Sequence, residues 1–347
     1  MMQSDLPIRR RKNEHLKIAL KEDVASGLKT GFDEITLLHN ALPEMDFKSV
    51  DISTTFLGHK IDAPILISSM TGGSTETARL NQTLATVAED CSIVIAMGSV
   101  RSGLENPAYA DTYNVRKFAP HALIFSNLGA VQLNYGFGVD ECKKAIEIAG
   151  ADGIFLHLNA LQESLQSDGD LNWSGILRKI EEIAHALEQP VLVKEVGWGI
   201  DRQTFRALEN AGVAAVDVAG AGGTSWSQVE MYRQPDQMLS RIAADFRSWG
   251  LTTVDCLEEI LKDGNSTIPV IASGGLRNGI DLAKSLALGA SLGGFARALL
   301  PAASEGVEAL HDEIEIIKRE LKITLFACGV SDIGNCSRSM IFQRNDC

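Results

Sequence analysis

The sequence predicts an α/β protein built as a (β/α)₈ barrel, and three observations carry that prediction. Eight short apolar runs follow one another along the chain, most are separated by stretches of helical period, and most give way within two residues to Gly, Ser, Asn or a charged residue. The runs are Pro64–Ile67, Ile93–Ala96, Ala122–Phe125, Ile154–Leu156, Val191–Val193, Ala215–Val218, Pro269–Ala272 and Ser291–Phe295. Continuous apolar runs of this length read as strands buried on both faces. Helical periodicity marks Thr75–Asp90, Val139–Gly150, Trp173–Leu187, Arg202–Ala211 and Asn278–Leu288. Alternating strands and helices imply parallel strands, and eight such units close into a barrel. Active sites of this barrel lie at the C-terminal strand ends, so the eight polar stops should ring one pocket.

One domain is expected, with residues 1–60 as an N-terminal arm and capping segment, 61–330 as the barrel and 331–347 as a tail. The alternating segment Phe47–Ile61 reads as a hairpin capping the barrel. The connection Gly220–Thr252, between the sixth and seventh runs, is long enough to carry helices of its own or to serve as a lid.

Composition narrows the partners. Across 347 residues the net charge is −13, which argues against nucleic acid or an anionic membrane surface, because both need clustered cations. Arg9, Arg10, Arg11 and Lys12 are the local exception, a solvated tail or an arm closing on a small anion. The six cysteines (91, 142, 256, 328, 336 and 347) lack paired spacing, which speaks against a zinc site or a disulfide framework and favours a reducing compartment. No apolar core follows the basic group near the start, so no secretory signal is expected. The uncharged stretch Phe118–Val139 contains Asn127, Gln132, Asn134 and several glycines, and reads as strand and loop rather than a membrane span. A cytoplasmic enzyme fits these features.

The strand ends hold the chemistry. In the fourth run, the two-residue strand period puts Phe155, His157 and Asn159 on one face, and Gln162 and Glu163 follow at once. An imidazole, two amides and a carboxylate at one rim can hold a divalent cation and pass a proton, or anchor a loop. Ser68-Ser-Met-Thr-Gly-Gly73 after the first run lets backbone amides approach a flat or anionic ligand. In Gly98-Ser-Val-Arg-Ser-Gly103, Ser99 and Arg101 suit a phosphate. Asn127, ending the third run, suits a heterocycle. Lys194, directly after three apolar strand residues, is costly unless its charge is used, either in an ion pair with Glu195 or beside a cofactor that gains negative charge. The sixth run ends in Gly220-Ala-Gly-Gly-Thr-Ser-Trp226, the seventh in Ser273-Gly-Gly-Leu-Arg277 and the eighth in Phe295-Ala-Arg297. Barrel enzymes commonly bind phosphate after the last two strands, and Gly274, Gly275, Ala296 and Arg297 fit that place. Ser99 and Arg101 with Arg11 and Lys12 make a second phosphate-binding set.

Together Arg11-Lys-x-x-His15, Ser69-Met-Thr-Gly-Gly73, Gly98-Ser-Val-Arg101, His157-Leu-Asn-x-x-Gln-Glu163, Gly220-Ala-Gly-Gly-Thr-Ser-Trp226 and Ser273-Gly-Gly-Leu-Arg-Asn-Gly279 resemble the type 2 isopentenyl diphosphate isomerases. The resemblance runs over residues 8–330. It implies interconversion of isopentenyl and dimethylallyl diphosphate with no net redox change, on FMN kept reduced by NADPH, with Mg²⁺, in a homotetramer or homo-octamer. By position it makes Ser69, Met70, Thr71, Ser99, Asn127, Lys194, Thr224, Gly274, Gly275, Ala296 and Arg297 flavin contacts. Arg11, Lys12, Ser99, Val100, Arg101 and Gln162 become substrate contacts, and Glu163 the Mg²⁺ ligand. Gln162, Lys194, His157 and Asn159 become the residues nearest the chemistry. The chain departs from the family pattern at Ala160, where proline is usual, at Ala219, where serine is often seen, and in the tail from Cys328 to Cys347.

Two rival readings share the barrel. A 2-hydroxy-acid oxidase or dehydrogenase using FMN would need a histidine base near the seventh run, and Ser273–Gly279 has none; a purine-nucleotide dehydrogenase would need a cysteine in Gly220–Trp226, which also has none. A non-catalytic flavin or isoprenoid carrier would give Glu163 and the basic arm no task.

Overall fold

The eight apolar runs become the strands of a closed parallel barrel in a computed structural model that describes residues 14–70 and 75–342. Strands β1 (Thr54–Phe56) and β2 (His59–Ile61) form an antiparallel hairpin, with Thr54 opposite Ile61. The barrel strands are β3 (Ile65–Ile67), β4 (Val94–Ala96), β5 (Ile124–Gly129), β6 (Gly153–His157), β7 (Val191–Lys194), β8 (Ala215–Asp217), β9 (Val270–Ser273) and β10 (Leu292–Phe295). They pair in chain order, and β10 closes on β3 with Gly294 beside Leu66.

Around them lie helices α1 (14–21), α2 (Thr75–Asp90), α3 (Arg101–Glu105), α4 (Val139–Ala149), α5 (Ala160–Leu165), α6 (Ile176–Ala186) and α7 (Arg202–Asn210). The sixth-to-seventh connection carries α8 (Trp226–Arg233) and α9 (Gln237–Asp245), and α10 (Thr253–Leu261), α11 (Gly279–Ala287), α12 (Leu300–Glu305) and α13 (Val307–Ala327) complete the shell. Helix α6 begins later than the periodicity of Trp173–Leu187 suggests, because Gly175 sits in the left-handed region at its N-terminus. Of the expected hairpin Phe47–Ile61, only Thr54–Phe56 and His59–Ile61 pair, and Phe47–Ser49 is a 3₁₀ turn capped by Asp46. No helix among the described residues is long and apolar enough to cross a membrane.

Two apolar layers result. The larger fills the space between strands and helices. The smaller plugs the barrel: Leu66, Val94, Ala96, Phe125, Phe155, Leu192, Ala215, Ile271 and Leu292 meet Phe56 of the hairpin. Phe125 stacks edge-on against both Phe56 and Phe155, with centroids 6.4 and 5.5 Å apart. This plug shuts the N-terminal end and leaves the C-terminal mouth to polar residues. The described part of the tail docks on the rest of the chain: Leu37 bridges Ile341, Asp51 bridges Asp332, and Arg338 grips Glu258 at 2.8 and 3.0 Å.

Candidate active site

The period of two that packs the plug also builds the site. One step beyond each inward-facing plug residue stand Ser68, Gly98, Asn127, His157, Lys194, Asp217, Ser273 and Gly294. All but Asp217 line a cavity of about 590 Å³ at the mouth. Helix α1 contributes His15, Leu16 and Ala19 to its wall, α5 contributes Gln162 and Glu163, and Gln166 follows at its C-terminal end.

The ring is wired by hydrogen bonds. Asn127 donates through Nδ2 to Ser69 Oγ at 3.0 Å, and its Oδ1 lies 2.8 Å from His157 Nδ1. Lys194, 7% exposed, donates to the Glu195 main-chain carbonyl rather than to its carboxylate. Of the two readings of Lys194, the ion pair with Glu195 is not what forms: the Glu195 carboxylate turns away to accept from the amides of Val196, Gly197 and Trp198 at 2.6–2.7 Å. Burial pushes that carboxyl group up to about 7 against those donors. The carboxylate paired with Lys194 in register is Asp217, fully buried and held by Ser273 Oγ at 2.6 Å. Burial raises its pKa, with the Lys194 charge opposing.

One side of the mouth is a backbone cradle. Gly274 has φ +101°, and a Cβ there would lie 2.0 Å from the carbonyl oxygen of Gly220, so only glycine fits. Gly275, Thr224, Ala296 and Arg297 line the same cavity. Ala219, one of the departures noted above, has φ +39°, a left-handed conformation in a residue that carries a Cβ. The other departure, Ala160, is the first residue of α5, where proline or alanine is accommodated equally because no helical N–H bond is needed.

The opposite side is charged. Arg101 pairs with Glu105 at 2.7 Å and with Asp170 at 2.8 Å, and Gln132 also donates to Asp170. Glu163, 7% exposed, accepts from Asn159 Nδ2 at 2.7 Å and from the Asp170 amide at 2.9 Å. Beside it, Asn159 Oδ1 is a buried acceptor without a hydrogen-bond partner. Ser69, Met70 and Ser99 also line the cavity. Val100 does not: its side chain is fully buried and its amide is committed to the Asn127 carbonyl at 2.9 Å. Arg11, Lys12 and Thr71 lie outside the described residues.

The central group escaped the sequence reading. Glu230 of α8 is 0% exposed and gathers four partners: Gln162 and Gln166 donate from Nε2 at 3.0 Å each, His15 Nε2 stands at 3.2 Å and Arg233 Nε at 2.7 Å. Burial opposes its ionisation, yet the hydrogen bonds and the charges of His15 and Arg233 outweigh it and hold the carboxyl at about 2. His15 is fixed in turn by an edge contact with Trp226, centroids 5.2 Å apart. No spacing marks Glu230, which is one acid in a long connection. Asp217 had a signal, since a carboxylate inside Ala215-Val-Asp-Val218 is as costly as Lys194 in its own strand.

The chain is 45% identical to the isopentenyl-diphosphate delta-isomerase of Synechocystis sp. over 335 residues, 96% of each chain. It is 44% identical to that of Rickettsia rickettsii over 331 residues, 95% of this chain and 96% of the other. The chain belongs to the isopentenyl-diphosphate delta-isomerase family. The broader family described as FMN-dependent dehydrogenase matches residues 18–115 and 156–343. Among solved structures, a flavocytochrome b2 mutant with pyruvate bound aligns with a TM-score of 0.69 at 18% identity, covering 94% of this chain and 82% of that one. A lactate oxidase of Pediococcus acidilactici aligns at 0.67 and 17% identity, covering 95% and 87%. At such identities these show a shared barrel, and the isomerase family rests on the closer relatives.

Proposed function

We propose that this protein interconverts isopentenyl and dimethylallyl diphosphate in isoprenoid biosynthesis, using FMN kept reduced by NADPH, and Mg²⁺. One observation carries the reading: a single cavity is lined on two sides by groups suited to anions, Gly274, Gly275, Ala296 and Arg297 on one and Ser99 and Arg101 on the other. A flavin phosphate suits the first and a diphosphate the second. A hydroxy-acid dehydrogenase would need only the first, plus a histidine that β9 does not supply.

The residues present fit the absent groups. Gly274, where any Cβ would strike the Gly220 backbone, lets the two loops pack closely enough to form the cradle, and Lys194, which lines the same cavity, would offer its ammonium to a bound flavin. Glu163 and the unpartnered Asn159 Oδ1 offer the hard oxygens that Mg²⁺ takes, usually with substrate phosphate completing its shell. Reduced FMN, when bound, supplies an electron-rich face and an exchangeable proton beside the alkene. The protein does the rest. Arg101 exchanges its pairing with Asp170 for the diphosphate, and the family resemblance adds Arg11 and Lys12 as further substrate contacts. Gln162, oriented by the Glu230 carboxylate, addresses the reacting carbons, while Glu230, His157 and Asn127 keep proton positions fixed. Moving a double bond passes through positive charge on carbon, which a dry site with a fixed anion stabilises. A cytoplasmic homotetramer or homo-octamer completes the proposal.

The test is direct: protein loaded with FMN, reduced with NADPH and given Mg²⁺ should convert isopentenyl diphosphate to its isomer. Oxidation of a 2-hydroxy acid, with no isomer formed, would sink the reading. Glu163→Gln should lower activity on the order of 10- to 100-fold, as when a metal's protein partners are altered, and raise the Mg²⁺ needed for half-maximal rate. Flavin content should stay the same; unchanged Mg²⁺ dependence would remove Glu163 from the metal's shell.

A further inference from the structure

At the end of the barrel away from the cavity, three side chains of different chemistry converge. Cys91 follows the last turn of α2, just before β4, and His311 and Glu315 stand one helical turn apart on α13. That spacing puts them on one helix face. Helices α2 and α13 pack together, and Sγ of Cys91, a ring nitrogen of His311 and a carboxylate oxygen of Glu315 all lie within 4.8 Å of one another. Cys91 is buried, His311 half-buried and Glu315 exposed, so the cluster is anchored inside and open to water on one side.

Its charge suits a cation. Burial first, then the carboxylates Glu315, Asp90 and Asp62, push the Cys91 thiol up to about 11 against one ammonium, Lys318. Lys318 pairs with Glu315 Oε1 at 2.6 Å and leaves the other oxygen for a second partner. A thiolate, an imidazole and a carboxylate form a borderline-soft set that favours Zn²⁺ and its neighbours over Mg²⁺ or Ca²⁺, which take oxygen alone. Tetrahedral ligands at bond lengths of about 2.0–2.3 Å stand roughly 3.3–3.6 Å apart, so small rotations of the two α13 side chains close the shell.

We propose that Cys91, His311 and Glu315 bind a transition-metal dication of the zinc type, with water as fourth ligand, and that it clips α13 to the end of α2. Binding exchanges a proton for the metal: the thiol S–H bond breaks, the S–metal bond forms and the proton leaves to water. The cysteine spacing speaks against a zinc site, but that signal tests for paired cysteines and is silent on a centre with one cysteine. Here the ligands come from residues 91 and 311–315, brought together only by the closed barrel. No ligand of this site lines the active cavity, so the metal acts on stability and not on the reacting atoms.

Cobalt(II) reports the site by colour. Added anaerobically to the full-length, flavin-loaded protein, Co²⁺ should give a thiolate-to-cobalt charge-transfer band and four-coordinate visible bands, saturating at one equivalent and abolished by Zn²⁺. No cysteine lines the cavity among the described residues, so metal held by them gives no such band. Cys91→Ser and His311→Ala should each lose it, and the rise in Tm produced by Zn²⁺ should vanish with it, while kcat stays unchanged. His311→Ala alters a half-buried helix position and decides the matter where Cys91→Ser fails to fold. No band in the parent protein, or the same band in either variant, overturns the proposal.

Discussion

Replacing Glu230 by glutamine should lower kcat about 10²- to 10⁴-fold, the range for a positioned proton-transfer group, with flavin content unchanged. Glu230 is 0% exposed, and its two oxygens hold Gln162, Gln166, His15 and Arg233 at 2.7–3.2 Å. Glutamine keeps the shape but removes the charge, and its amide must turn a donor toward other donors. Gln162 then loses the acceptor that aims it at the substrate, and the fixed anion that answers positive charge on carbon disappears. Since its pKa is lowered to about 2, Glu230 stays ionised at any ordinary assay pH; the stability it contributes is present above the normal carboxylate range and is lost only as pH falls toward 2. Steady-state kinetics on a variant of unaltered circular dichroism is the check. A lower Tm with unchanged kcat would make Glu230 a strut for α5 and α8 and nothing more.

The second large effect belongs to Lys194. Lys194→Met keeps the length of the side chain and removes the only cation on the cavity floor contributed by a described barrel strand. A reduced flavin that carries negative charge then loses its counter-charge, while the fully buried Asp217 remains beside the vacated place. The flavin midpoint should move on the order of 30–60 mV more negative, equal to about 1.4–2.8 kcal/mol for a two-electron couple. Isomerisation should fall about 10²- to 10³-fold, as when a fixed charge stabiliser is removed. Spectroelectrochemical titration reads the first and product formation the second. An unmoved midpoint would confine Lys194 to holding the Glu195 carbonyl.

The barrel was legible because most of its strands announce themselves twice, by an apolar run and by a polar stop. Pro64-Ile-Leu-Ile67 and Ser68 show both, and the same alternation that buries Leu66 in the plug turns Ser68 into the cavity. Residues one strand step past the plug were therefore readable, and Asn127, His157 and Lys194 line one cavity with Gln162 and Glu163. What stayed hidden depends on packing between distant segments. Glu230 becomes central only when α8 folds over α5 and α1 brings His15, from 215 positions away, within 3.2 Å. Val100 was assigned to substrate through its motif, yet its side chain is fully buried while its neighbours Ser99 and Arg101 line the cavity. Lys194 beside Glu195 invited an ion pair, but consecutive strand residues face opposite ways, and Glu195 found three amides on its own side.

The central claim is that this mouth moves protons on a hydrocarbon and consumes no hydride. Under anaerobic conditions, flavin in the protein should be reduced with a single equivalent of NADPH and then given Mg²⁺ and excess isopentenyl diphosphate. The account expects many molecules of dimethylallyl diphosphate per flavin, with the flavin still reduced when equilibrium is reached. Product limited to one molecule per hydride added, or flavin reoxidised in step with product, would contradict it.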